Sequence, residues 1–246
     1  MRVFSRCAAA AFTIGLIVGP AAAQMVGNPV YFSPKHGTGI TIAVDLGRGL
    51  NDASFKTNYY GGRATIGLPT FTISAGAGVV KPSGVFDVPG TESEVTFGGN
   101  VALNVFNPPL APVAVSLQGG VGYVKTTGSG VAGGDVTTLV FPLGVALAFS
   151  VPSPALSVEP WIAPRVHIVR TSNGTSTTET NFGVSAGLNL GLPMGLGFHA
   201  AIDYVAVSDP DDVVPLSSSS SDVSPFLVGV GVHYRIALPG LGIPGM

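Results

Sequence analysis

Between residues 181 and 207 the chain runs NFGVSAGLNLGLPMGLGFHAAIDYVAV, alternating in side-chain character on both sides of a Leu-Pro-Met-Gly turn. Phe182, Val184, Ala186, Leu188 and Leu190 fall on one face of the first arm, with Asn181, Gly183, Ser185, Gly187 and Asn189 on the other. In the second arm Leu196, Phe198, Ala200, Ile202 and Tyr204 alternate with Gly197, His199, Ala201 and Asp203. Successive side chains of a strand point to opposite faces, so a period of two about a tight turn reads as an antiparallel hairpin. The second face is small and polar where a water-facing strand would carry charge. Such a strand suits lipid on one side and an enclosed lumen on the other.

The remaining composition fits that reading. Charged residues make up 10% of the 246-residue chain, against roughly 25% in soluble domains. With 35 Gly and 20 Pro, a bundle of membrane helices is disfavoured. Residues 136–158 carry no charge and are long enough to resemble a membrane helix. Pro142, Pro152 and Pro154 interrupt them, however, and Leu139, Phe141, Leu143, Val145, Leu147 and Phe149 recur at every second place. Each interior proline would cost a helix about 3 kcal/mol, whereas a barrel strand satisfies its backbone through its neighbours.

Residues 1–23 read as a secretory signal peptide: Arg2 and Arg6, an apolar run, then Ala21-Ala22-Ala23 before Gln24. Cys7, the one cysteine, lies inside it, so the mature chain is expected to have neither disulfide nor thiolate chemistry. Loss of Arg2 and Arg6 takes the 11 basic residues to 9 against 13 acidic ones, a formal charge of −4. That balance does not suit nucleic acid.

Residues 24–37 form a periplasmic lead-in, and ten strands are expected at 38–46, 58–68, 70–80, 93–106, 112–125, 136–149, 155–170, 180–192, 195–207 and 224–236. Four connections are short and proline-built, around Pro69, Pro108-Pro109, Pro152-Ser153-Pro154 and Pro193. Five are longer and polar, at 47–57, 81–92, 126–135, 171–179 and 208–223. The expected fold is therefore all-β: a closed antiparallel up-and-down transmembrane β-barrel of about ten strands over 38–236, followed by a tail at 237–246. No second domain is visible, and the run Ser217 to Ser221 is a loop tip.

Three features support the barrel. Outward stripes such as Ile40, Ile42, Val44 and Leu46 are uncharged. Outward aromatics fall at two heights: Phe71, Phe106, Phe149, Phe198 and Tyr234 near the short turns, and Tyr60, Phe97, Tyr123, Phe182, Tyr204 and Phe226 near the long loops. Rings at two interfaces give such girdles. Just above the upper girdle lie Arg48, Lys56, Lys81, Lys125 and Arg170. They read either as a collar for anionic headgroups such as lipopolysaccharide phosphates or as ordinary solvated loop charge.

On these strands, turns and loops the chain resembles the small bacterial outer-membrane β-barrel proteins of Gram-negative envelopes, over nearly all of its mature length. The last strand, Gly231-Val232-His233-Tyr234-Arg235-Ile236, looks like that superfamily's terminal assembly signal, carried here by Gly231, Tyr234 and Ile236. An apolar tail follows where such chains normally stop at an aromatic. The resemblance implies secretion through the inner membrane, contact with outer-membrane lipid and lipopolysaccharide, and passage through the barrel-assembly machinery.

The inward register is mostly Gly, Ala, Ser, Thr, Asn and Gln, which in a ten-stranded barrel is expected to leave open space. Its ionisable members are Asp45, Arg63, Glu159, Arg165, His167, His199, Asp203, His233 and Arg235. They could pair with one another, because burial without partners is costly, or Arg63, Arg165 and Asp203 could line a mid-height constriction. No enzyme is expected. The long loops carry Asp209, Asp211 and Asp212 but no histidine, and Asp-Pro-Asp-Asp matches no full calcium loop. Neither cofactor nor metal is expected. Two functions remain: a narrow passive channel for small hydrophilic solutes, or a non-conducting barrel that anchors the envelope or displays loops for adhesion. A carrier for apolar ligands is a minor third, since the inward face lacks bulky apolar lining.

Overall fold

Alternation of aliphatic with small or polar residues carries the chain through ten strands: β1 (Gly39–Gly49), β2 (Asn58–Gly67), β3 (Phe71–Lys81), β4 (Glu94–Phe106), β5 (Val113–Thr126), β6 (Val136–Phe149), β7 (Ser157–Asn173), β8 (Thr175–Gly191), β9 (Leu196–Ala206) and β10 (Phe226–Ile236). The structure, a computed structural model, describes residues 33, 38–51, 54, 56–81, 93–108, 112–127, 135–151, 156–207 and 224–237. The expected signal peptide, the expected lead-in apart from Ser33, the residues after Ala237, the acids Asp209, Asp211 and Asp212 and the run Ser217 to Ser221 lie outside the described residues.

Each strand pairs antiparallel with its sequence neighbours, and β1 pairs with β10, so the sheet closes on itself. Closure removes the sheet edges and satisfies the ladder all the way round, as a bilayer core demands. Strands of 10 to 17 residues exceed the roughly 9–11 needed to cross. Their outward faces form an uninterrupted apolar belt, with Ile42 55%, Val44 60%, Val101 51% and Leu143 51% exposed. A soluble surface seldom exposes more than a few hundred Å² of contiguous apolar area; a belt around a closed barrel belongs in lipid. Aromatic residues edge it at both heights: Phe97 pairs with Tyr123 and Tyr204 with Phe226 at the loop end, while Phe149, Phe198 and Tyr234 face out at the turn end.

Three expectations need correction or completion. Residues 171–179 are not a loop, because β7 and β8 continue outward as one hairpin to Gly174, with Thr171 opposite Thr177 and Asn173 opposite Thr175. β-branched threonine favours extended backbone there, and Gly174 takes a φ of 71° that a branched residue would resist. The Asn173-Gly174 pair is the local turn signal. Second, Pro142, which would break a helix, leaves the strand register intact. The β5–β6 ladder passes from Gly119–Leu143 to Gly122–Val140 in unchanged register, and the gap falls where proline has no N–H to give. Its ring faces inward, close to where a side chain on Gly120 would begin.

The third correction concerns the lumen, which the glycines do not leave open. They are seats for large inward side chains. A Cβ on Gly61 or Gly78 would overlap the Tyr59 ring, one on Gly187 the Trp161 indole, and one on Gly183 the His167 imidazole. Tyr59 and His167 are wholly buried and Trp161 nearly so. Ala146, Ala148, Ala163 and Ala201 form an apolar cluster with Trp161, and Val80 one with Tyr59.

Candidate functional site

The inward ionisable residues gather into distinct groups because strand register brings residues far apart in sequence to one level. The first group bridges the seam where the barrel closes. Asp45 on β1 accepts from Arg63 on β2, Nε to Oδ2 at 3.1 Å, and is bonded through Oδ1 to His199 Nε2 on β9 at 2.8 Å. His199 in turn faces His233 on β10, Nδ1 to Nδ1 at 3.1 Å. Asp45 is wholly buried, and Arg63 and His199 nearly so. Glycines make the crossing possible: Gly231 lies opposite both Asp45 and His199, and the His199 ring occupies the space a side chain there would need. An acid and an imidazole thus stand within hydrogen-bond reach, with a second imidazole beyond them.

The second group lies on β7 and β9. Arg165 is buried against Gly144, its Nε reaching the Ala163 carbonyl at 3.4 Å, and Ala163, Ser185 and Asp203 share one level across β7, β8 and β9. Arg165 Nη2, both ring nitrogens of His167, Ser185 Oγ and Trp161 Nε1 have no hydrogen-bond partner among the described residues. Arg63 belongs with Asp45, so the constriction trio Arg63, Arg165 and Asp203 divides between the two groups.

The third group surrounds a cavity of about 150 Å³ at the turn-side mouth, walled by Arg63, His233, Arg235, Glu159, Asn189 and Ser157 among others. Glu159 accepts from Asn189 Nδ2 at 3.2 Å and from the Ser33 hydroxyl, which brings the buried Ser33 of the lead-in to this mouth.

On the outer surface, Arg48, Lys81, Lys125 and Arg170 lie exposed at the loop ends of their strands, and Lys56 lies in the β1–β2 loop with a φ of 46°. Arg48 and Lys81 flank Asn58 across β2, while Lys125 is paired with Asp135 at 2.5 Å. In the terminal strand Tyr234 and Ile236 face outward.

Tyr59 and Trp161 escaped the sequence reading of the lumen. Their signal was parity: Tyr59 shares a face with Arg63, and Trp161 with Glu159 and Arg165.

No family model and no curated protein matches the chain. Solved structures of similar shape include the translocator domain of the autotransporter NalP from Neisseria meningitidis, 14% identical with a TM-score of 0.46 over 82% of this chain and 90% of that one. The N-terminal β-barrel domain of Pseudomonas aeruginosa OprF is 11% identical with a TM-score of 0.36, covering 82% of this chain and all of its own. The outer-membrane protease OmpT from Escherichia coli is 10% identical with a TM-score of 0.40 over 81% and 94% of the two chains.

Proposed function

We propose that the protein is a closed, non-conducting β-barrel of the bacterial outer membrane that anchors in the bilayer and presents its long connections at the cell surface. The observation that supports this reading is the seating of Tyr59, Trp161 and His167 on glycines, together with an ion-paired seam. Small inward residues here serve packing and not permeation. A seam with its charges paired is stable as it stands, whereas an open path would leave Asp45 and Arg63 to be hydrated separately. The girdles and the leader-like start accord with an outer-membrane address reached by secretion and barrel assembly. No catalysis is assigned to the barrel.

A narrow channel is the second reading, favoured by the turn-side cavity of about 150 Å³. Recording purified protein in planar bilayers separates the two. The closed reading expects silence across moderate voltages from correctly folded protein; discrete, salt-dependent current steps would overturn it.

We also propose that the basic residues at the loop ends meet outer-leaflet phosphates. Arg48, Lys81 and Arg170 suit this best, since Lys125 already holds Asp135. Neutralising all five collar residues should strip co-purifying lipopolysaccharide; unchanged retention would remove the idea.

A further inference from the structure

Glu159 faces inward on β7 near the turns, and its two partners come from different places. One is Asn189, its register neighbour on β8, whose Nδ2 donates to Oε1 at 3.2 Å. The other is the hydroxyl of Ser33, which lies six residues ahead of Gly39, the start of β1, and is wholly buried. In the closed ring the order runs β1, β10, β9, β8, β7, so Glu159 stands four strands from the point where the chain enters the barrel. Four strand spacings, widened by strand tilt, make an arc of roughly 25 Å. Six residues span about 20 Å at full stretch. The chain therefore has no slack for a path round the rim, and an inward carboxylate is reached only from within the mouth. A carboxylate acceptor makes the serine bond stronger than a neutral one would. Pro34 follows in sequence and restricts Ser33 to extended backbone, which lowers the entropy lost when the segment is held.

We propose that Glu159 and Asn189 are a docking site for the chain's own N-terminal segment, held across the turn-side mouth through Ser33. The contact joins walls that the strand ladder does not pair directly. It is independent of conduction: ion flow through the intact protein would overturn the closed reading and leave this contact standing.

Trypsin reads the contact through Lys35, two residues beyond Ser33, because cleavage of a held segment follows the population released. In the folded barrel in detergent micelles, Lys35 should be cut at least about tenfold more slowly than in Ser33→Ala, the worth of one hydrogen bond to a charged group. Glu159→Ala should release Lys35 to the same degree, and Glu159→Gln, which keeps an acceptor oxygen, should fall between. Lys56, in the β1–β2 loop at the opposite end, is the internal reference and should be cut at one rate throughout. If Glu159→Ala does not fold, Ser33→Ala alters no strand residue and carries the test alone. Equal cleavage at Lys35 in the unaltered protein and a folded alanine variant, or acceleration at Lys56 in step with Lys35, would each overturn the proposal.

Discussion

Asp45 is the residue on which most of the interior converges, since one carboxylate receives both Arg63 and His199. Removing one member of a buried ion pair leaves the other charged and dry, at a cost of about 3–5 kcal/mol. Asp45→Asn should therefore lower the unfolding free energy of the barrel in urea by about that amount. Asp45→Asn with Arg63→Gln should recover part of it, since contacting residues couple by about 0.5–3 kcal/mol; strict additivity would show that the pair does not act as one. Glycine seats make a second residue-scale prediction. In Gly187→Val the added carbons collide with the Trp161 ring and with the Ala200 carbonyl, an overpacking worth about 1–3 kcal/mol. Trp161 is the only tryptophan, so its emission should shift as the indole leaves its seat. An unshifted spectrum would mean that the indole lies elsewhere. That a glycine is a seat was not legible in sequence, because the face of Gly187 follows from local parity whereas its partner Trp161 lies across a register spanning β7 and β8.

Strands themselves were largely legible. Their existence, order and outward faces follow from period-two alternation, and the short proline turns mark where each pair reverses. The misjudged element was the β7–β8 hairpin. Its outer half, from Thr175 to Thr180, is exposed on both faces, so the alternation that marks the membrane-spanning part fades and only turn chemistry at Asn173-Gly174 remained as a cue. Inside the belt the alternation has a measurable price. Val101 lies mid-strand on β4, 51% exposed toward lipid and paired with Ile73 and Gly119. Val101→Arg should destabilise the barrel by about 2–4 kcal/mol in lipid vesicles; an effect near zero would place Val101 outside the acyl region.

For the molecule as a whole, closure and filling go together. The inward ionisable residues were identifiable by parity, but which of them meet was not, since Asp45 and His199 are separated by most of the barrel in sequence and become neighbours only through β10. The same spatial logic underlies the expected electrical silence of the reconstituted protein, because Tyr59 and Trp161 occupy space that small residues alone would have left to water. The seam has one more implication, and it concerns biogenesis. Asp45 meets His199 across Gly231, so the bond requires a single offset between the first strand and the final one. A slip of two places would set His233 or Gly229 beside the acid, and the relay would be lost. Until the last segment docks, the carboxylate and Arg63 lack half their network. The offset of the closing pair is thereby tied to stability, a misaligned ring being less stable than the one observed.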